Sequence, residues 1–197
     1  MEISASQVKE LREMTGVGMM DCKKALTATN GDMEAAVKYL REKGLSKAAA
    51  KAERATKEGR IYAYIHSNSK IGVLVEVNCE TDFVARTDDF ANLCKDIAMH
   101  IAASSPLAVQ AEDIDPKIVA EEREIYRNKA LNEGKPEQII EKIVEGQVKK
   151  FYKDNCLLEQ EFVKDPDKTI QDIVTEAVTR MGENIRVARF TRYCLGE

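Results

Sequence analysis

Tryptophan is absent from this 197-residue chain, and all aromatic residues together make up 6% of it. Stacking platforms for single-stranded nucleic acid and aromatic cages therefore have little to be built from. Histidine occurs only at His66 and His100, which leaves metal binding or His-dependent catalysis few candidates. The five cysteines, Cys22, Cys79, Cys94, Cys156 and Cys194, are odd in number and include no Cys-x-x-Cys pair. They read neither as a disulfide framework nor as a zinc site, and they suit a reducing compartment. The most apolar stretch, Ile71-Gly72-Val73-Leu74-Val75, falls far short of the ~20 residues a membrane helix needs. The start, Met1-Glu2-Ile3-Ser4, has no basic segment followed by an apolar run, so no signal peptide and a cytoplasmic location are expected. Thirty basic against 34 acidic residues give a net charge of −4, without the basic excess of a domain held by phosphate charge. Glycines are scattered, with no Gly-x-Gly-x-x-Gly and no Gly-x-x-x-x-Gly-Lys-Ser/Thr, so no nucleotide loop is read. Cys94 and His100 stand six apart and fall on different faces of a helix, which argues against a thiol nucleophile and for Cys94 as core filler. No catalytic residue, metal site or cofactor is expected.

What is present reads as an α+β chain. Ser4 and Gln7 fit a capping box, with Ile3 and Val8 placed for a hydrophobic staple. Gly16 and Gly18 break that first helix. A second should begin near Met19 and end at Asn30-Gly31, two residues that tolerate positive φ. Asp32 can cap a third carrying Met33, Ala36, Val37 and Leu40, with Gly44 as its stop. This gives a small helical head over residues 1–45. From Arg41 to Arg60 there are seven basic and three acidic residues, and Ala-rich sequence of high helix propensity predicts an exposed helical linker over 46–58. The core, 59–197, opens with period-two alternation around Ser67-Asn68-Ser69-Lys70, the pattern of a β-hairpin. Apolar helical stripes follow at Phe90 to Ile101, Ile140 to Phe151 and Ile170 to Met181. Asp165-Pro166-Asp167 reads as a turn, and Asn184 to Cys194 as a last strand. The expected core is helices packed on a small antiparallel sheet.

Two segments rise above this background. In Leu11 to Leu26, a glycine-containing turn leads into Met19 and Met20, flexible side chains suited to a protein-binding surface. In the plainer reading they fill the core of the small bundle, but they are adjacent, so both cannot face the same way and one is expected to be exposed. The second segment is Glu76 to Arg86, where a polar tip ends in Asp82 beside Phe83. Physics alone leaves two readings open. In the plainer one, Phe83 is a core residue and Asp82 a loop cap. In the other, Phe83 is a wedge worth about 1.5–3 kcal/mol when buried in a partner.

Both segments resemble the two signature motifs of the translation elongation factor Ts family, guanine-nucleotide exchange factors for elongation factor Tu. The resemblance extends over essentially the whole chain, including Lys47 to Lys57, Ile97-Ala98-Met99-His100, Asn132-Glu133-Gly134-Lys135-Pro136, Glu145-Gly146 and Gly182-Glu183-Asn184-Ile185. The head is also similar to ubiquitin-associated three-helix domains, through Asn30-Gly31-Asp32 and Ala36 to Leu40. The family resemblance implies that the Thr81-Asp82-Phe83-Val84 loop intrudes near the Mg²⁺ and phosphate site of the GTPase, in its GDP-bound and nucleotide-free forms. It implies that Arg12, Met19 and Met20, with Lys23 nearby, contact the nucleotide-binding domain. Through the duplicated module of long members, it places His66, Met181 and Gly182 at further contacts. Short members, which this chain resembles, form homodimers. Cys194 falls on a terminal strand where such an interface is expected. The rival reading is an adaptor whose head binds ubiquitin or another peptide; such a protein has no need of the second motif.

Overall fold

The computed structural model describes residues 3–197; Met1 and Glu2, on which the reading of the chain start partly rests, lie outside the described residues. The described residues form helices α1 (Ala5–Thr15), α2 (Met19–Ala28) and α3 (Met33–Ala49), then strands β1 (Glu58–Ile65) and β2 (Ile71–Cys79). A single turn of helix, α4 (Asp82–Ala85), precedes α5 (Asp88–Ser104), α6 (Pro116–Asn132) and α7 (Glu137–Asn155). Strands β3 (Glu161–Phe162) and β4 (Asp165–Thr169), helix α8 (Ile170–Met181) and strand β5 (Arg186–Cys194) complete the chain. The fold is α+β, with an antiparallel sheet in the order β1-β2-β5 and a separate β3-β4 pair. Two compact units divide it. One comprises the residues up to Arg60 with Val77–Leu93 and Asp172–Arg186; the other comprises Ile61–Glu76, Cys94–Gln171 and Val187–Glu197.

In the first unit, local chemistry sets the helix ends. The Ser4 amide donates to Gln7 Oε1 at 3.1 Å and Ser4 Oγ accepts from the Gln7 amide at 3.2 Å, closing the capping box. α1 ends on Gly16 at φ +67°, and Asn30 and Gly31 turn the chain at φ +52° and +84°. Asp32 then caps α3 through the Ala35 amide at 2.9 Å. Val8, Leu11, Cys22, Ala25, Leu26, Ala36 and Leu40 form the core of this bundle, with Ile3 packed against it. Gly44 does not stop α3, which runs on to Ala49. A Cβ at Gly44 would lie 3.0 Å from Thr179 Oγ1, so this glycine serves a close approach to α8. That role offsets its cost of about 1 kcal/mol relative to alanine inside a helix. Beyond Ala49 the chain turns through residues 50–54. There the Asn184 side chain donates to the carbonyls of Ala52 at 3.2 Å and Arg54 at 2.9 Å, occupying acceptors a continuing helix would use.

In the second unit, α6 and α7 form a hairpin closed over Ala130, Ile140, Val144 and Val148. Asp115 caps α6 by accepting from the Lys117 amide at 2.9 Å, with Pro116 at the first helical position. Asp165-Pro166-Asp167 is not a turn but strand, and the chain reverses instead at Val163-Lys164. In a two-stranded pair each strand has a free edge, so the missing Pro166 amide disrupts no second ladder. No disulfide joins any of the five cysteines. Among the described residues no helix is long and apolar enough to cross a membrane.

His100 is fully buried in this unit. Its Nε2 lies 2.9 Å from Gln160 Oε1, and its Nδ1 accepts from the Val163 amide at 3.3 Å. The Gln160 amide nitrogen is itself committed to the Asp154 carbonyl at 2.7 Å, so Oε1 faces the ring and the ring is neutral, with its proton on Nε2. Burial holds the His100 pKa below the ordinary 6.5, opposed by the Gln160 hydrogen bond. The unfolded chain therefore binds the proton first on acidification. Stability should fall as pH drops through 6.5 towards the lower folded pKa and level off below it. Thermal melts at pH 7.5 and 5.0 should show a smaller acid loss for His100→Gln than for the wild type. Equal losses would remove His100 as the cause.

Candidate functional site

The segment from Glu80 to Arg86 belongs to the first unit. Thr81, not Asp82, is the cap of α4: its Oγ1 accepts from the Val84 amide at 3.4 Å. Asp82 is the first helical residue and pairs with Arg86 Nη2 at 2.9 Å. Phe83 is 80% exposed, which overturns its reading as a core residue. The core positions nearby are filled by Cys79, Ala85 and Phe90, and in a single turn of helix Phe83 points away from the buried Ala85. Val84 is half-buried.

The turn that carries Phe83 is held by hydrogen bonds that converge on Thr81. Glu183 Oε2 accepts from the amides of Glu80 at 3.1 Å and Thr81 at 3.0 Å, and Oε1 accepts from Thr81 Oγ1 at 2.6 Å. The Thr81 carbonyl accepts from the Ala85 amide and from Cys79 Sγ, each at 3.2 Å. Burial, and secondarily the Glu183 charge, push the Cys79 thiol pKa up, so the sulfur keeps the proton it donates. Glu80 Oε1 in turn accepts from the Asn184 amide at 2.6 Å and pairs with Arg54 at 3.5 Å. Lys51 Nζ donates to the Gly182 carbonyl at 2.5 Å. Gly182, Glu183 and Asn184 thus tie together the turn after α3, the end of β2 and the start of α4.

The head residues Arg12, Met19, Met20 and Lys23 are all exposed. The reading of the two methionines as filler of the bundle core fails, with Met19 at 42% and Met20 at 67% exposure. Cys22, Ala25 and Leu26 already supply the buried face of α2, so neither methionine is needed there. Met14, at the end of α1, is exposed as well. It lies inside the motif read from sequence, but its exposure shows only in the fold. Met181 is half-buried at the end of α8, and Gly182 follows exposed at φ +79°. His66 lies in the second unit at the end of β1, exposed, with Nδ1 3.0 Å from Tyr64 Oη. The structure therefore gathers the loop, the head residues, Met181 and Gly182 in one unit and leaves His66 in the other. Sequence reading gave no role to Glu80, Glu183 or Asn184; a bond spanning 102 residues has no local signature.

The family model for Elongation factor TS matches residues 2–197. An Elongation factor Ts of Geotalea daltonii is 61% identical over 197 residues, covering 100% of this chain and 91% of the relative. One of Heliobacterium modesticaldum is 60% identical over 195 residues, covering 99% of this chain and 91% of the relative. One of Thermoanaerobacter pseudethanolicus is 58% identical over 195 residues, covering 99% and 96%. With a match along its length and relatives of this identity, the chain belongs to the elongation factor Ts family.

Proposed function

We propose that this protein is a guanine-nucleotide exchange factor that binds elongation factor Tu in the cytoplasm and promotes release of its GDP during translation. The observation that carries this reading is Phe83, 80% exposed on a turn whose main chain is held from several sides. A large apolar ring left in water at a fixed position is suited to enter a partner. In this reading Asp82 and Phe83 enter near the Mg²⁺ and phosphates of the GTPase, and Thr81 and Val84 shape the turn that presents them. Arg12, Met19, Met20 and Lys23 grip the nucleotide-binding domain, and Met181, Gly182 and His66 add further contacts. The protein makes and breaks no covalent bond.

Linkage sets the energetics: factor and nucleotide weaken each other's binding by the same factor. Nucleotide bound at about nanomolar Kd corresponds to roughly 12 kcal/mol, and a 10³–10⁴-fold faster release needs about 4–5.5 kcal/mol. One buried phenylalanine supplies about 1.5–3 kcal/mol. The head contacts and the lost phosphate and Mg²⁺ interactions must supply the remainder. The test is release of labelled GDP from elongation factor Tu with this protein at substoichiometric concentration. Acceleration with turnover supports the reading; an unchanged rate overturns it.

A homodimer belongs to the same proposal. Ile61, Ile65, Leu74 and Tyr193 of the β1-β2-β5 sheet are all exposed, Ile61 and Tyr193 each at 71%. Neighbouring strands share this outer face, where Arg189 meets Glu76 at 2.8 Å and Ile65 lies against Gly72. An apolar sheet face of this kind fits a second copy. Sedimentation at micromolar concentration should give a dimer, and Ile61→Lys with Tyr193→Lys should give monomer. A wild-type monomer would sink the dimer while leaving the exchange reading intact.

A further inference from the structure

We infer that Glu183 is a positioning residue, whose carboxylate holds the Glu80-Thr81 main chain and so sets where Asp82 and Phe83 stand. Its functional consequence rests on the exchange reading above, but its geometry does not. Both carboxylate oxygens are directed at the loop: one takes two consecutive amides, the other the Thr81 hydroxyl. Consecutive amides converging on one charged oxygen fix the local backbone more tightly than neutral acceptors do, because charge-assisted bonds are shorter and stronger. Two cations add to this knot, Lys51 on the Gly182 carbonyl and Arg54 on the Glu80 carboxylate. Every polar group of Thr81 has a partner, so its neighbour Phe83 is exposed without being on a loose loop. A wedge already ordered in the free protein loses less conformational freedom on docking, which is where preorganisation acts.

Glu183→Gln tests this, since it keeps the size but aims an amide donor at one of the two donor sets. In the isolated protein, hydrogen exchange followed by NMR should speed up at least tenfold at the Glu80 and Thr81 amides. The Val75 amide inside β2 should be unchanged. Glu183→Asp, which keeps the charge but withdraws the carboxylate by one methylene, should behave alike and serves if Glu183→Gln fails to fold. In the GDP-release assay, Glu183→Gln should lower the rate at least fivefold in the wild-type background. In the Phe83→Ala background it should lower it less than twofold, because there is no longer a ring to place. Unchanged amide exchange, or an equal loss in both backgrounds, would overturn the positioning role. If the wild type fails to release GDP, the exchange reading falls, and the amide measurement still decides what Glu183 holds.

Discussion

Replacing Phe83 with alanine should slow factor-promoted GDP release by more than tenfold while leaving the protein folded. Two opposite roles would make Phe83 matter, and its exposure separates them. A buried phenylalanine cut to alanine leaves a cavity and costs 3–5 kcal/mol of stability, as a general expectation for cores. Phe83 is 80% exposed, so its removal leaves no cavity here. The bonds that shape the turn run through the main chain, Thr81 and Glu183, none of which involves the ring. The missing interaction is therefore the one with the partner. Burying the ring there contributes about 1.5–3 kcal/mol, and each 1.4 kcal/mol is a factor of ten. The loss should lie between about tenfold and a hundredfold, with Phe83→Leu between alanine and wild type. The check is stopped-flow release of a fluorescent GDP alongside a thermal melt. Release at the wild-type rate would remove Phe83 from the mechanism. A melting point lowered by many degrees would return it to a structural role.

The largest effect on stability is expected at Gly59, at the start of β1. Its φ is +147°, and a Cβ there would fall 2.2 Å from the Val77 carbonyl oxygen and 2.7 Å from Asn78 Cα. Both are backbone atoms of β2, so no side chain can swing aside. Gly59→Ala combines a conformation that other residues occupy at a cost of about 1–3 kcal/mol with a clash that β1 can relieve only by leaving its partner. A loss of at least ~3 kcal/mol is expected, or roughly 6–12 °C in Tm for a chain of this size. Gly146 is the control. It lies inside α7 with nothing within 4 Å of its Cβ position, so Gly146→Ala should be neutral or stabilising by about 0.5–1 kcal/mol. If both variants melt together, local sterics do not explain the glycine at 59.

Helix ends were well marked in the sequence because their signals are short-range. Ser4 with Gln7, Asn30-Gly31, Asp32 and Asp115-Pro116 each act within a few residues, and each lies where its local chemistry places it. The period change at Ile61 likewise announced the hairpin. Misreadings arose where a distant partner decided the outcome. Gly44 looked like a stop because a glycine ends helices more often than it sits inside them; Thr179, on a helix near the far end of the chain, makes it a packing site. Asp165-Pro166-Asp167 is a different, local case: it has turn composition, yet Phe162 pairs with Asp165 and Glu161 with Thr169, so the reversal falls at Val163-Lys164.

The sequence by itself determined the α+β class, the caps of α1, α3 and α6 and the two motifs that mark the family, since these depend on residue type and near-neighbour spacing. Only the tertiary structure decided that Phe83 stands in solvent, that both Met19 and Met20 are exposed, and that Glu183 holds the loop from 102 residues away. The physical reason is the range of the forces involved. A cap or a periodic stripe is settled within one or two turns of chain, whereas exposure depends on what every other segment has already buried, and a hydrogen bond across the fold exists only once that burial has brought its two ends together.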